Sequence, residues 1–334
     1  MGGWEHDNVV TTGGVVVPVR ATARRPLWSD LPSGVRALVE RRVGGTVVSA
    51  HSAGTGFTPG FASRLVLDDG SSVFVKAASS ADDRIHGWAL SDAYRDEVRK
   101  LALLPDGIGA PPVLWHDDRE VDGEQWAVSA FVYVEGQPPR RPWRGDQLRL
   151  VLDKLVEVAP LLTPAPAELE LEPIEEHLAG KAAERIEQAS LTEPDGDWLD
   201  TVATLCADAL AGAIGGDSVV HMDLREDNVL IDPTDGVWFV DWNWPVVGAE
   251  WVDLVCLVLS AAGDGHDCDA LLSAHPLTRE VDPTAIDSLL AVLWTFWATA
   301  ADEPAPHGSP HLRDHQRWYL DTTRTWLAAR LAVR

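Results

Sequence analysis

The sequence predicts an α+β fold with two lobes, a small antiparallel β-sheet lobe followed by a mostly helical lobe. A chain of 334 residues is long for one domain and suits two lobes with a cleft between them. Strand-like apolar runs separated by turn residues are concentrated before residue 135, whereas helical periodicity dominates after it. The segment 135–139 interrupts the pattern with prolines and a glycine. We therefore predict an N-terminal lobe over residues 1–134 and a C-terminal lobe over residues 135–334.

The composition indicates a globular protein with an excess of acid. Hydrophobic residues make up 46% of the chain and charged residues 24%, which is ample for a buried core. The formal net charge of −25 argues against nucleic acid as a partner, because phosphate backbones attract basic surfaces. Two interpretations of the acidity are open: a solvated surface that favours solubility, or carboxylates that line a site for a cationic substrate.

The sequence shows no sign of export or membrane insertion. Residues 1–7 are polar, unlike a signal peptide, and the longest apolar windows, 254–262 and 289–301, are too short to span a bilayer. The three cysteines are scattered, which predicts neither a disulfide framework nor a zinc site. We expect a cytoplasmic protein, and the sequence does not define its oligomeric state.

Turn residues and apolar runs define the elements of the small lobe, after a start at residues 1–14 that we expect to be loosely ordered. A short helix is predicted over residues 31–40, with Ser33 as its N-cap. A longer helix is predicted over residues 92–104, where Pro105 and Gly107 end it. The predicted strands cover residues 46–49, 64–67, 72–76, 111–115 and 126–132.

A glycine-rich loop at residues 52–61 lies between the first two predicted strands. Gly54, Gly56 and Gly60 allow backbone N–H groups to approach phosphates that side chains would otherwise block. The pattern is not G-x-G-x-x-G, Pro59 removes one donor, and an ordinary hairpin turn has a similar composition. The position of the loop ahead of a strand that ends in lysine favours phosphate binding.

Lys76 ends an apolar strand, a position at which a lysine is usually solvated. The next helix carries Tyr94, Val98 and Leu101 at spacings of four and three, which defines its inward face. Glu97 lies on that same face, and an inward acid beside an apolar stripe requires a buried cation. We therefore predict an ion pair between Lys76 and Glu97.

The most informative segment lies in the second half of the chain. Two β-type runs bracket a polar loop that holds His221, Asp223 and Asn228 in the spacing H-x-D-x-x-x-x-N. A third run follows the turn at 232–236 and ends in Asp241. A short pattern of this kind arises by chance in Asp-rich proteins, but chance does not explain why strands present all of these side chains together.

This residue set suits phosphoryl transfer from ATP. Asp223 would orient the attacking hydroxyl and receive its proton, while Asn228 and Asp241 hold Mg²⁺ on the phosphates. Lys76 is then the ammonium group that contacts the ATP phosphates.

Val132 and Val134 are the predicted hinge positions, because the strand at 126–132 leads into the connection between the lobes. Backbone groups read adenine at such a hinge, so the side chains carry little information. ATP is the expected nucleotide, and the use of GTP, which depends on hinge backbone geometry, is left open.

With these residues assembled, the chain resembles the aminoglycoside phosphotransferase and choline kinase branch of the protein-kinase-like fold, from residue 31 to about residue 331. The resemblance implies that Asp223 is the base or hydroxyl-orienting carboxylate and that Asn228 and Asp241 bind magnesium. It also implies that His221 is a structural residue and that Asp253 braces the catalytic loop. The motifs that carry it are Pro59-Gly60-Phe61-Ala62-Ser63, Phe74-Val75-Lys76, residues 221–228, Val240-Asp241-Trp242 and the G-x-x-x-x-D-L segment at 248–254.

The chain also departs in places from the pattern of the branch that it resembles. Met222 takes a place where this branch usually has glycine, and the phosphate loop is not a standard glycine pattern. The D-F-G and A-P-E segments of protein kinases are missing, since Trp242 and Asn243 follow Asp241. Their absence argues against a protein substrate.

Three functions are open at this point. The first is an ATP-dependent O-phosphotransferase that modifies a hydroxyl of a small molecule, with an aminoglycoside-like antibiotic as the leading acceptor. The second is a kinase of a metabolite such as an amino alcohol or a sugar. The third is a kinase-like protein that binds a ligand without turnover, and the intact set of Lys76, Glu97, Asp223, Asn228 and Asp241 argues against it.

The resemblance places the acceptor among the C-terminal helices of the large lobe. Glu250 and an acidic cluster at 264–269 lie in that region, and the cluster is predicted to be a polar loop with a helix N-cap rather than a metal site. Five aromatic residues there are either core or a stacking platform for a ring-bearing substrate: Trp294, Phe296, Trp297, Trp318 and Trp326.

Overall fold

An antiparallel sheet of five strands forms the centre of the small lobe. The computed structural model describes residues 9–12, 15–18, 20, 22–82, 84–85 and 88–333. The strands in this part of the chain are β1 Val9–Thr12, β2 Val15–Pro18, β3 Val47–Ser52, β4 Phe61–Leu67, β5 Ser72–Ser79, β6 Arg84–Ile85, β7 Trp88–Ala89, β8 Val113–Val121 and β9 Glu124–Val132. The five-stranded sheet has the order β3-β4-β5-β9-β8, while β1 pairs with β2 and β6 with β7.

The two faces of β5 explain how the sheet serves both a core and a cleft. Val73, Val75 and Ala77 are buried against helix α1 (Ser33–Val43), where they join the core of the small lobe. Side chains alternate across a strand, so Phe74 and Lys76 point to the opposite face. The period of the strand therefore delivers the lysine to the cleft.

Helix α1 begins differently from the prediction. Pro32 takes the N-cap position and Ser33 is the first helical residue, so the predicted Ser33 cap is wrong. No side chain caps this helix end, and the left-handed Gly44 (φ 74°) closes the other end, where it donates to the carbonyl of Glu40.

The second helix of the small lobe, α2, covers Leu90–Leu101 and ends three residues earlier than predicted. Its buried face includes Tyr94, Glu97 and Lys100, whereas Val98 is only half-buried. The inward face of α2 is therefore centred on Glu97 and not on Val98. The Lys100 ammonium group donates to the backbone carbonyl of Asn243 over 2.7 Å and so ties α2 to the large lobe.

The large lobe is built from helices around one hydrophobic core. Its helices are α3 Gly145–Val158, α4 Ile174–His177, α5 Ala182–Ala189, α6 Gly196–Asp208, α7 Val252–Gly263, α8 Cys268–Ala274, α9 Pro283–Ala300 and α10 Leu312–Ala332. Short strands β10 Ser218–Val220 and β13 Val246–Gly248 pair with each other, as do β11 Val229–Ile231 and β12 Val237–Phe239. Almost every residue of α7 and most of α9 are buried, as expected of helices that are apolar on all sides.

The predicted α+β fold is confirmed, with a sheet-based small lobe and a helical large lobe. The chain leaves β9 at Val132 and next enters a helix at Gly145, and the lobe boundary predicted at residue 135 falls in this connection. Of the start predicted to be loosely ordered, residues 1–8, 13 and 14 lie outside the described residues. The described strand β1 pairs with β2, and this hairpin lies next to α10.

No described helix combines the length and the apolarity that a bilayer crossing demands. The three cysteines are all buried and unbridged.

Candidate active site

Three distant segments meet at Lys76. Its Nζ donates to both oxygens of Glu97, at 2.7 and 2.8 Å, and to Oδ1 of Asp241 at 2.8 Å. Burial lowers the pKa of Lys76, but the carboxylates of Asp241 and Glu97 outweigh it and hold the pKa above its usual value. The lysine is therefore charged. The structure brings it together with Glu97, as the sequence predicts, and also with Asp241.

Asp253 organises the loop that carries the predicted catalytic carboxylate. Its two carboxylate oxygens accept from the backbone N–H groups of His221 and Met222, at 2.7 and 3.0 Å. His221 is 1% exposed and its Nε2 lies 3.0 Å from the carbonyl of Val240. Burial lowers the pKa of His221, so the ring is neutral and links the loop to the end of β12.

The backbone of this loop is strained at Met222. Met222 has φ 68°, in the left-handed region that favours glycine. A side chain in this region costs on the order of 1 kcal/mol. The hydrogen bond from the Met222 N–H to Asp253 helps to hold this conformation.

We expect Asp253→Ala to destabilise the protein by about 2–5 kcal/mol, because two buried backbone N–H groups lose their acceptor. The matched control is Asp267→Ala, which removes a carboxylate that accepts from one N–H at the start of α8. Loss of such a cap costs about 1 kcal/mol. The free energy of unfolding from denaturant titration compares the two variants. Equal destabilisation by both would show that Asp253 does not brace the loop.

Both carboxylate oxygens of Asp223 are held by neighbours. Arg225 donates to Oδ1 through Nη1, and the side-chain amide of Asn228 donates to Oδ2 at 3.1 Å. Burial raises the pKa of Asp223 to about 7, against the opposing effect of the Arg225 guanidinium. A fixed carboxyl with this pKa is able to take up and release a proton near neutral pH.

The oxygen atoms of Asn228 and Asp241 that are free of hydrogen bonds from described residues fit a magnesium ion. The amide nitrogen of Asn228 is occupied by the backbone carbonyl of Asp223, at 2.8 Å, and by its carboxylate, so the amide oxygen is directed elsewhere. Lys76 and Asn243 donate to Oδ1 of Asp241, and no described residue donates to Oδ2. Within the described ranges, no group of three or more His, Cys, Asp or Glu side chains is arranged for a metal. Two oxygen ligands completed by phosphates and water are what Mg²⁺ uses in nucleotide sites.

Two cavities of similar size meet at this site. The first, of about 400 Å³, lies between the lobes, and the second, of about 390 Å³, is lined mainly by the large lobe. The tip of the glycine-rich loop separates them, because Thr58 lines both and Phe57 packs on His315 of α10 with 4.4 Å between the ring centroids. We call them the interlobe cavity and the large-lobe cavity.

The predicted site residues divide between the two cavities. Asp223 lines the large-lobe cavity. The interlobe cavity is lined by Gly54, Gly56, Lys76, Glu97, Val132, Val134, Asn228 and Asp241.

Gly60, unlike Gly54 and Gly56, lines neither cavity. A Cβ at this position would lie 2.5 Å from both Leu90 and Tyr94, so its role is close packing against α2. Gly56 adopts φ 76° and is the glycine of the loop whose backbone conformation needs glycine.

Sequence reasoning missed Arg25, which also lines the interlobe cavity. Its Nη2 donates to the carbonyl of Thr55 at 3.0 Å, while its Nε and Nη1 are buried without a hydrogen-bond partner among the described residues. The only signal in the sequence was a pair of arginines before Pro26. This pair has no fixed spacing to the other site residues.

The acidic residues predicted near an acceptor site lie elsewhere. Glu250 is exposed and lines neither cavity. In the 264–269 cluster, Asp264 pairs with the buried Arg141, and Asp267 caps α8, as predicted. Asp269 pairs with Arg330.

The five aromatic residues differ in whether they line the large-lobe cavity. Trp294, Trp318 and Trp326 are buried in the core. Phe296 and Trp297 line the large-lobe cavity, with 4.7 Å between their ring centroids.

Comparison with known proteins places this geometry among phosphotransferases. Residues 63–275 match the model of a family described as the phosphotransferase enzyme family. No curated protein sequence is significantly similar to the chain.

Solved structures share the fold at low identity. The GDP and kanamycin complex of APH(2")-IIia is 15% identical with a TM-score of 0.56, covering 91% of this chain and 100% of that chain. Choline kinase LicA from Streptococcus pneumoniae is 15% identical with a TM-score of 0.54, covering 87% and 100%. Amicoumacin kinase hAmiN in complex with AMP-PNP, Ca²⁺ and Ami is 11% identical with a TM-score of 0.51, covering 88% and 96%. These matches confirm the protein-kinase-like fold.

Proposed function

The chain belongs to the phosphotransferase enzyme family and is a small-molecule phosphotransferase, and we propose that it moves the γ-phosphate of ATP to a hydroxyl of an acceptor in the large-lobe cavity. One observation carries the proposal. Asp223 faces the large-lobe cavity, whereas Asn228 and Asp241 face the interlobe cavity, and the Asn228 amide connects the two sides. A phosphate donor in the interlobe cavity and a hydroxyl acceptor in the large-lobe cavity would thus meet between Asp223 and Lys76.

The side chains of the interlobe cavity suit a nucleotide with its metal. Lys76, fixed by Glu97, presents its ammonium group to the phosphates. Asn228 and Asp241 would hold Mg²⁺, which neutralises charge on the phosphates during transfer. Val132 and Val134 line the cavity where the base would bind.

The reaction follows from the position of Asp223. The acceptor hydroxyl gives its proton to the Asp223 carboxylate as its oxygen bonds to the γ-phosphorus. The bond from that phosphorus to the bridging oxygen breaks, ADP leaves with the electron pair, and Asp223 later releases the proton to water. Positioning and electrostatic stabilisation supply most of the acceleration in such transfers, so no covalent enzyme intermediate is needed.

Two nucleotides are candidates for the donor. Structures of similar fold hold GDP, AMP or AMP-PNP, which supports nucleotide binding by the interlobe cavity and keeps GTP beside ATP. The use of such a donor favours the cytoplasmic location that the sequence predicts.

Several acceptors are compatible with the fold. Structures of similar fold include a kanamycin complex, a choline kinase and an amicoumacin kinase, which support both the antibiotic and the metabolite hypotheses. The complete set of Lys76, Glu97, Asp223, Asn228 and Asp241 favours turnover over ligand binding alone.

The proposal is tested by ADP or GDP release across a panel of aminoglycosides, amino alcohols, sugars and hydroxy acids. We expect nucleotide turnover that requires Mg²⁺ and an acceptor, with a phosphorylated product in the mass spectrum. Purified protein that binds no Mg²⁺–nucleotide complex would contradict the proposal.

A further inference from the structure

The large-lobe cavity has an aromatic wall. Phe57, Phe296, Trp297 and Tyr319 all line it, and Phe296 and Trp297 come from the same turn of α9. Aromatic side chains bind apolar and ring-bearing groups through a large contact area. The acceptor therefore needs an apolar body next to its hydroxyl.

The charge of this cavity is opposite to that of the whole chain. Asp223 is the only carboxylate among its described lining residues, and Arg225 already pairs with it. A polycation would find no free acid there, although the chain holds 52 acidic residues. Unpaired carboxylates are what a cationic acceptor would require.

Two cations on the cavity form no ion pair with a described carboxylate. Lys181 forms no ion pair with any described residue. Arg185 donates to the carbonyl of Leu178 at 3.0 Å and lies 5.3 Å from the Phe296 ring. The carboxylate of the preceding Glu184 attracts the guanidinium but forms no ion pair with it. Two cations without an ion pair on one cavity, where the lining holds a single carboxylate, mark a place for an anion.

We propose that the acceptor is a hydroxyl compound with an apolar, ring-bearing body and a carboxylate or similar anionic group that Lys181 and Arg185 bind. This inference rests on the proposed phosphotransferase function, because it assigns the acceptor of that reaction. The aminoglycoside expectation drawn from the sequence has no acidic lining except Asp223 in the described part of this cavity to support it.

Three isosteric probes test the charge preference: 4-(hydroxymethyl)benzoate, 4-(hydroxymethyl)benzamide and 4-(hydroxymethyl)benzylamine. Binding is measured by calorimetry on protein saturated with Mg²⁺ and a non-hydrolysable ATP analogue, with kanamycin and choline as further cations. We expect the benzoate to bind at least about tenfold more tightly than the benzylamine. The double variant Lys181→Glu and Arg185→Glu should reverse this order. The exposed Arg279→Glu serves as the control and should preserve it.

The outcomes separate the two proposals. Failure to bind the nucleotide analogue counts against the phosphotransferase function itself. Normal nucleotide binding with equal or tighter binding of the benzylamine, with no probe binding, or with an unchanged order in the double variant overturns the anionic acceptor alone.

A second inference concerns Arg25, whose segment crosses the glycine-rich loop. The Thr22 hydroxyl donates to the carbonyl of Gly56, and the Arg24 N–H donates to the carbonyl of Gly308 at 2.7 Å. These bonds fix the segment between the loop and the large lobe. The guanidinium of Arg25 is thereby held inside the interlobe cavity.

The unfilled donors of Arg25 require an anion. Its Nε and Nη1 are buried without partners, and a buried charged donor without an acceptor is strongly unfavourable. Asp241 and Asp227 are close enough to attract the guanidinium, yet neither accepts a hydrogen bond from it. A guanidinium binds phosphate oxygens through two parallel N–H groups.

The geometry points to Arg25 as a ligand of the terminal phosphates of the nucleoside triphosphate in the interlobe cavity. It would share those phosphates with Lys76.

Arg25→Gln tests this role against the adjacent, exposed Arg24→Gln. We expect Arg25→Gln to weaken ATP binding at least about tenfold and to leave adenosine binding within twofold, because adenosine carries no phosphate. Arg24→Gln should change neither affinity. Unchanged ATP affinity, or an equal loss for ATP and adenosine with a lower melting temperature, would show that Arg25 only supports the loop.

Discussion

Asp223→Asn is expected to lower kcat by about 10³-fold or more, because the acceptor hydroxyl loses the group that orients it and takes its proton. The amide keeps the size of the carboxylate, and Arg225 and Asn228 surround it as before. Nucleotide affinity should change little, since Asp223 lines the large-lobe cavity and not the interlobe cavity. Steady-state kinetics with the best acceptor, together with calorimetric titration of ATP, measure the two quantities separately.

The control for this experiment is Asp227→Asn. Asp227 pairs with the same Arg225, at 3.0 Å, so its loss disturbs the same guanidinium without removing the proposed base. We expect a loss of about tenfold, in line with a residue that positions its neighbours. If Asp223→Asn kept more than a tenth of the wild-type kcat, or lost no more than Asp227→Asn, the assignment of Asp223 would be wrong.

The parts of the site that were predictable depend on short sequence spacing. The polar loop between β10 and β11 places Asp223 and Asn228 within hydrogen-bond distance because only a few residues separate them. The Lys76–Glu97 pair was predictable from the periods of one strand and one helix. The order of the motifs along the chain then indicated the fold, because each motif lies on the predicted type of element.

Tertiary packing decides the features that the sequence left open. Gly60 resembled a phosphate-binding glycine, but the position of Tyr94 on α2 makes it a packing residue. Arg25 reaches the site only because its segment is tied to Gly308, which lies far away in the sequence. No local pattern records that approach.

The charge of the large-lobe cavity was hidden for the same reason. The chain is strongly acidic, and the sequence places Glu250 and the 264–269 cluster in the region expected for the acceptor. In the structure these acids are exposed, cap a helix or pair with arginines, while Lys181 and Arg185 line the cavity. Net charge describes the whole surface and does not determine which side chains line one cavity.

Asp241→Asn is expected to abolish the dependence of nucleotide binding on Mg²⁺ and to lower kcat by about 10³-fold or more. The metal would lose its charged ligand and keep only the neutral amide of Asn228, and oxygen ligands without charge bind Mg²⁺ weakly. Lys76 would also lose one of its two anionic partners. Titration of ATP in the presence and absence of Mg²⁺ measures the first effect, and turnover with the best acceptor measures the second.

Asp235→Asn is the matched control, because Asp235 is exposed and has φ 64°, close to the 69° of Asp241. Asparagine tolerates this left-handed conformation, so the same chemical change is made on the same backbone geometry at both positions. The control should bind nucleotide with the Mg²⁺ dependence of the wild type. If Asp241→Asn did the same, the metal would have to be held by other groups, and the arrangement of Lys76, Asn228 and Asp241 would serve only to join the two lobes.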